Sequence, residues 1–167
     1  MYLTDIIGNE YETWKPGEWI FLKSPPGSGK STFCNHFAHK QVRKGKKVLF
    51  LSPRRVLVNQ QKFEAIQSVA AQENSYFREI DGISYSSYQL LEQSLLNGYD
   101  PLGSYDIIIC DECHYFLSDA IFNTHTQLSM EAILKNRKAI LLFLSGTIED
   151  FQKYIFSKFD CRMEELR

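Results

Sequence analysis

The chain has 167 residues, a mass of 19.4 kDa and a formal net charge of −1. Hydrophobic residues at 44% and charged residues at 23% are the proportions of one ordered globular domain, which excludes a disordered chain and leaves little room for a second unit. The longest apolar runs, Val48–Leu51, Ile107–Cys110 and Ala139–Leu144, are too short to cross a bilayer, and the first residues lack the basic start and apolar core of an export signal, so a cytoplasmic location (nuclear in a eukaryote) without membrane association is expected.

In chain order, Glu18–Ser24 reads as a strand running into a Gly-rich turn, and Lys30–Lys44 as a helix stopped by Gly45. Lys47–Ser52 is a second strand. Ser52-Pro53 has the form of a helix start, and Val56, Phe63, Ile66 and Ala70 keep helical spacing after it. A short strand is expected near Gly82–Ser86. Ser86-x-x-Gln89 has the capping-box pattern and opens a helix through Leu96, ended by Gly98. Tyr105–Cys110 is the next strand, Phe116–Leu134 a helical region, Lys138–Leu144 the last strand, and Thr147 the cap of a final helix. The strands are continuous apolar runs, as parallel strands covered on both faces require. Alternation of strand and helix predicts an α/β fold: a doubly wound, mostly parallel sheet with helices on both faces, forming a single domain over residues 1–167.

Two segments carry chemistry. Ser24-Pro25-Pro26-Gly27-Ser28-Gly29-Lys30-Ser31-Thr32 joins the first strand to the first helix and matches the phosphate-loop pattern, except that Ser24 holds the first Gly position. Glycines let consecutive N–H groups curl around phosphate oxygens, and the helix N-terminus adds partial positive charge. Pro26, Gly27, Ser28, Gly29, Lys30, Ser31 and Thr32 are thus the candidate cofactor-binding residues for ATP or another NTP, with Lys30 on the β- and γ-phosphates and the Ser31 hydroxyl on Mg²⁺. The second segment, Tyr105–His114, delivers Asp111 and Glu112 from the C-terminal end of a strand, the edge where parallel α/β sheets bind ligands. Asp111 is the candidate Mg²⁺ residue and Glu112 the candidate general base, so Lys30, Asp111 and Glu112 form the expected catalytic set.

Cys110-Asp111-Glu112-Cys113-His114 also reads literally as C-x-x-C-H, the haem-attachment spacing. It follows a strand directly and has no second C-x-x-C pair, so neither haem nor structural zinc is expected and the four cysteines are read as free thiols. Cys110 is expected to be buried and Cys113 to lie close to the Mg²⁺ site. Cys34, His36 and His39 are assigned packing or surface roles rather than a metal site.

Asp111-Glu112-Cys113-His114 resembles the DECH version of the DEAD/DEAH box, and Ser24–Ser31 resembles helicase motif I. Ser145-Gly146-Thr147 is similar to motif III, Ser52-Pro53-Arg54-Arg55 with Gln60 to motif Ia, and Ser86-Ser87-Tyr88-Gln89-Leu90 to a later strand-contact motif. The five occur in the order of a superfamily 2 helicase, and the chain resembles the first RecA-like domain of that class. The resemblance implies that Ser145 and Thr147, with His114, couple the nucleotide site to the nucleic-acid path. It also implies that Pro53, Arg54, Arg55, Ser87 and Gln89 face a DNA or RNA strand.

The sequence departs from the pattern at two places. Pro26 stands where motif I usually has Thr, and no Gln precedes the phosphate loop, the first being Gln41, so the adenine-reading Gln motif is absent. Tyr11, Trp14 and Trp19 are candidates to stack on a base, although core packing is the ordinary role of such aromatics. The lysines and arginine of Lys40–Lys47 read as a solvated helix end. Two alternatives remain: a phosphate-loop kinase or phosphotransferase, and a non-catalytic nucleotide-dependent interaction module. The residues after Thr147 are too few for the second RecA-like domain that the resemblance calls for, in cis or in trans. An arginine finger from such a domain is worth about 10³–10⁵ in turnover, so the 167 residues alone are expected to bind nucleotide weakly and hydrolyse it negligibly.

Overall fold

The computed structural model describes residues 2–53, 78–119 and 124–159. Arg54, Arg55, Gln60, the helix expected after Pro53, and Cys161 lie outside these residues.

A short helix α1 (Leu3–Ile7) and a 3₁₀ turn (Glu10–Thr13) lead into strand β1 (Trp19–Lys23), the phosphate loop and helix α2 (Lys30–Arg43). There follow β2 (Val48–Ser52), β3 (Arg78–Ile80), β4 (Ile83–Ser87), α3 (Tyr88–Leu96) and β5 (Ile107–Cys110). The chain continues with α4 (Tyr115–Asp119), α5 (Thr124–Lys135), β6 (Ile140–Ser145) and α6 (Ile148–Phe159). The strands form one sheet in the order β1-β6-β5-β2-β4-β3, parallel throughout except for the edge strand β3, which is antiparallel to β4.

The expected doubly wound sheet is present, and its strands show why apolar runs were needed. In β6, Leu141 and Phe143 pack on one face with Phe116, Ile133 and Phe151, while Leu142 and Leu144 pack on the other with Phe33 and Phe37. Successive side chains alternate between faces, so a strand covered on both sides must be apolar at every position. One face carries α3 to α6 and the other carries α1 and α2. At about 25 cal/mol per Å² of apolar surface buried, these two layers supply the dominant folding force.

Several boundaries and devices differ from the sequence-based expectation. Strand β3 was not expected. Asp81 (φ 53°) and Gly82 (φ 82°) form a two-residue connection between the paired Ile80 and Ile83, the Asp-Gly hairpin turn whose backbone needs two positive φ angles. The cap of α3 is Ser87, not Ser86: its Oγ accepts the amide of Leu90 at 3.1 Å. The helical region expected over Phe116–Leu134 contains the two helices α4 and α5.

Candidate functional site

The phosphate loop follows the C-terminal end of β1, and its conformation rests on glycine. Gly27 and Gly29 have φ of 79° and 77°, and Gly29 is the residue before the first turn of α2. The Ser28 amide donates to the Pro25 carbonyl at 3.1 Å, closing the turn. Two external bonds hold the loop in place: the Ser24 amide donates to the Ser145 carbonyl at 2.9 Å, and the Leu3 amide to the Ser28 carbonyl at 2.8 Å. The loop borders a cleft of about 610 Å³ that also meets Glu112, His114, Gly146 and Thr147. Ser31 and Thr32 are exposed in the first turn of α2, and the Ser28 Oγ is buried without a hydrogen-bond partner.

Strand β5 delivers Asp111 and Glu112 to the same edge. Asp111 is 6% exposed. Its Oδ1 accepts the Glu112 amide at 2.9 Å, and its carbonyl accepts the Tyr88 hydroxyl at 2.6 Å. Glu112 holds a positive φ of 48°, uncommon for a residue with a β-carbon; such strain persists where the surroundings over-determine it. Lys30 Nζ pairs with Asp111 Oδ1 at 2.9 Å and also with Glu112 Oε1. Lys30 is therefore the internal cation of the acidic pair, its side chain only 20% exposed.

Burial shapes the charges here. It pulls the Lys30 pKa down, but the Asp111 and Glu112 carboxylates outweigh this and leave it above the ordinary lysine value. Burial raises the Asp111 carboxyl above the usual range, and Lys30 only partly offsets it. The donor set fits the groups implied by the sequence. A carboxylate pair already engaging an ammonium is built for a cation, and the buried, unpartnered Ser28 hydroxyl is one more group able to meet a phosphate oxygen.

The three residues that the resemblance offers for coupling, His114, Ser145 and Thr147, are brought together. His114 Nδ1 lies 3.1 Å from Ser145 Oγ and 3.3 Å from Glu112 Oε2. Ser145 Oγ also lies 3.3 Å from Thr147 Oγ1 and accepts the Thr147 amide at 3.1 Å. Ser145 is fully buried at the end of β6 and Thr147 immediately precedes α6, so this hydroxyl ties the acidic motif to the next strand-to-helix turn.

The expected strand-contact residues fare differently. Pro53 is buried, and Ser87 is fully buried with its hydroxyl spent on the cap of α3, so neither side chain presents a surface to nucleic acid. Half-buried Gln89 donates from Nε2 to the Tyr115 hydroxyl at 2.9 Å. Arg54 and Arg55 are outside the described residues. Cys113 lies in the apolar cluster with Tyr88 and Phe116 and does not line the cleft, and its amide donates to the Leu144 carbonyl at 3.0 Å. Tyr11 and Trp14 pack edge-on against Phe37 at 5.5 and 5.4 Å and are core residues, as is Trp19. Sequence reasoning missed Tyr88 as the support of Asp111. An aromatic immediately following the cap residue of a helix gives no sign of which carbonyl its hydroxyl will reach.

A strand–glycine loop–helix with its lysine on a strand-end Asp-Glu pair, joined through His114 and Ser145 to the neighbouring strand, defines a RecA-like nucleotide-binding domain of the superfamily 2 helicase type. The chain belongs to the Type III restriction enzyme, res subunit family, which matches residues 6–150. Relatives include the genome polyproteins of hepatitis C virus genotype 2b (isolate JPUT971017) and genotype 2c (isolate BEBE1), each 34% identical over 128 residues. That region is 72% of this chain but 4% of either polyprotein, so the chain spans a small part of these relatives. Similar solved structures include the Hef helicase domain of Pyrococcus furiosus (TM-score 0.58, 18% identity, 99% of this chain and 40% of that one). A hypothetical ATP-dependent RNA helicase from Sulfolobus tokodaii has the same TM-score at 20% identity, covering 90% of this chain and 48% of its own. The flagellar accessory protein FlaH from Methanocaldococcus jannaschii follows at 0.51 and 13% identity, covering 92% and 73%. At these identities the structural likeness establishes the fold. Among the described residues no helix is long and apolar enough to cross a membrane.

Proposed function

We propose that this domain binds ATP or another NTP with Mg²⁺ and, in the full-length protein, couples its hydrolysis to remodelling of, or movement along, DNA or RNA. The observation that carries this reading is the continuous contact from Lys30 through Glu112 and His114 to Ser145 and Thr147 at the rim of the phosphate loop. A simple binding site needs the loop and lysine alone. Here a bonded chain leads away from the acidic pair to a separate strand-to-helix turn, as a motor requires if nucleotide state is to be felt elsewhere.

The roles follow from position. Loop N–H groups and Lys30 hold the phosphates, which compete with Asp111 and Glu112 for the Lys30 ammonium. Ser31 and Asp111 hold Mg²⁺, which when bound neutralises charge on the phosphate oxygens. Glu112, once freed from Lys30, accepts the proton of the attacking water. Arg54, Arg55 and Gln89 are the strand-facing candidates, with phosphate contacts that carry no sequence information. A second RecA-like domain, in cis or in trans, supplies an arginine finger and the other wall of the strand path.

The test is Glu112→Gln in a protein carrying both domains, with and without single strands. Nucleotide affinity is expected to stay near the parent value while turnover falls by about 10²–10⁴, since only the base is removed. Hydrolysis at the parent rate would remove Glu112 from this role, and turnover indifferent to any strand would remove the motor reading.

A further inference from the structure

The peptide between Asp111 and Glu112 is held at both of its polar atoms. Its carbonyl, that of Asp111, accepts the Tyr88 hydroxyl at 2.6 Å, and its N–H, that of Glu112, donates to Asp111 Oδ1 at 2.9 Å. The backbone beside it is the strained one. Glu112 holds a φ of 48°, a conformation that crowds a β-carbon and persists only under constraint. Turning this peptide over would return Glu112 to the ordinary negative range and redirect its side chain. The Tyr88 ring is fixed against such a turn. It is fully buried, lies parallel to Tyr115 at 5.4 Å and packs on Phe116 at 4.6 Å. Both partners stand at the start of α4, directly after the acidic motif, so one side chain grips the backbone on either side of Glu112. Burial also raises the phenol well above its ordinary pKa, so the hydroxyl remains a donor.

We infer that Tyr88 is a positioning residue for the general base: its hydroxyl locks the Asp111–Glu112 peptide in the orientation that keeps the Glu112 carboxylate at the cleft. This rests on the reading of Glu112 as the base. The contacts separate that hydroxyl from the grip on nucleotide. Glu112 lines the cleft and Tyr88 does not. The phosphate loop is tied to Ser145 and Leu3, and the Asp111 amide is held independently by the Leu51 carbonyl at 2.8 Å. Losing the hydroxyl therefore leaves the phosphate-binding groups in place and frees the base. A carboxylate turned away from the attacking water misses the proton it has to accept, and a displacement of about 1 Å is enough to cost about 10²-fold in rate.

The experiment is hydrolysis of ATP with Mg²⁺ by a protein carrying both domains, for the parent, Tyr88→Phe, Glu112→Gln and the double variant. Calorimetric titration counts the nucleotide-binding sites of each, so turnover is read per folded site. Phe keeps a ring against Tyr115 and Phe116 and removes the hydroxyl alone. Turnover per site is expected to fall by about 10- to 100-fold in Tyr88→Phe, while nucleotide affinity stays near the parent value. In the Glu112→Gln background the same substitution should cost nothing further, because a residue that acts only through the base has nothing left to act on. Parent-like turnover per site in Tyr88→Phe overturns the inference and leaves Glu112 as the base. A loss of affinity that matches the loss of turnover also overturns it, since Tyr88 would then support the whole nucleotide site. So does a full further loss in the double variant, the mark of a purely structural role. Hydrolysis by Glu112→Gln at the parent rate removes the base itself, and a parent that hydrolyses no nucleotide removes the reading on which the inference rests.

Discussion

Replacing Lys30 by Ala removes the ammonium that pairs with both carboxylates of the acidic motif, and the cost follows from burial. The side chains of Lys30, Asp111 and Glu112 are 20%, 8% and 26% exposed. Breaking a fully buried pair costs about 3–5 kcal/mol and an exposed one about 0–1 kcal/mol. Asp111 lies near the first limit and Glu112 nearer the second, so about 2–3 kcal/mol is expected. For a domain of this size that corresponds to a melting temperature lower by about 4–12 °C. The pH dependence has a definite sign. A carboxyl whose pKa is raised on folding, as for Asp111, contributes stability that is present at low pH and lost as pH rises through its folded value. Lys30 holds that value down, so Lys30→Ala raises it further. The deficit should be largest at neutral pH and shrink as acid protonates Asp111. Mg²⁺ without nucleotide should stabilise the variant more than the parent, because the ammonium no longer fills the carboxylate pair. Thermal unfolding across a pH series, with and without Mg²⁺, checks each step. A variant that melts with the parent at neutral pH, or a deficit unchanged in mild acid, would refute the argument.

The sheet and the nucleotide edge were legible in the sequence because both depend on local patterns. Apolar runs such as Ile107–Cys110 reveal strands buried on both faces, and Gly27, Gly29 and Lys30 between a strand and a helix permit few other structures. The edge hairpin carries a strong turn signal in Asp81-Gly82, but β3 beside it is only three residues long, Arg78–Ile80, too short for an apolar pattern to mark it. What the sequence could not show were choices made by tertiary contact. Whether Lys30 faces solvent or the Asp111–Glu112 pair depends on how closely α2 and β5 approach. Cys113 could have faced the cleft or the core, and only the packing of Tyr88 and Phe116 around it decides for the core. Ser86 and Ser87 are chemically alike as caps, and only the register of β4 against β2, which places Ser87 opposite Ser52, selects the second. The hydroxyl of Tyr88 belongs to the same class: side-chain direction set by packing rather than by composition.

Three further outcomes follow from packing and bonding. Gly82→Ala should destabilise the chain by about 2–3 kcal/mol in chemical denaturation, since the residue would keep a positive φ and its β-carbon would meet Val42 Cγ1 at 2.6 Å. Burial raises the thiol pKa of Cys34, Cys110 and Cys113, so in a Cys161→Ser variant none of these three should react with a thiol reagent until the chain is denatured. Ser145→Ala separates communication from binding. Its hydroxyl touches no part of the phosphate loop, which is held instead by the Ser145 carbonyl through Ser24, and the substitution keeps that carbonyl. What is lost is the junction of His114 Nδ1, Thr147 Oγ1 and the Thr147 amide, all within 3.3 Å of one oxygen. In a protein with both domains, nucleotide affinity should stay near the parent value, while stimulation of hydrolysis by single strands should fall well below the parent ratio. Removing an oxygen from a fully buried site costs about 1–3 kcal/mol in unpaired partners, so a modest drop in melting temperature is expected as well. That drop alone cannot lower the stimulation ratio, because a less stable protein loses basal and stimulated turnover together. A Ser145→Ala variant with its stimulation ratio intact would show that the His114–Ser145–Thr147 junction only holds the fold, and that the signal from the acidic pair travels by another route.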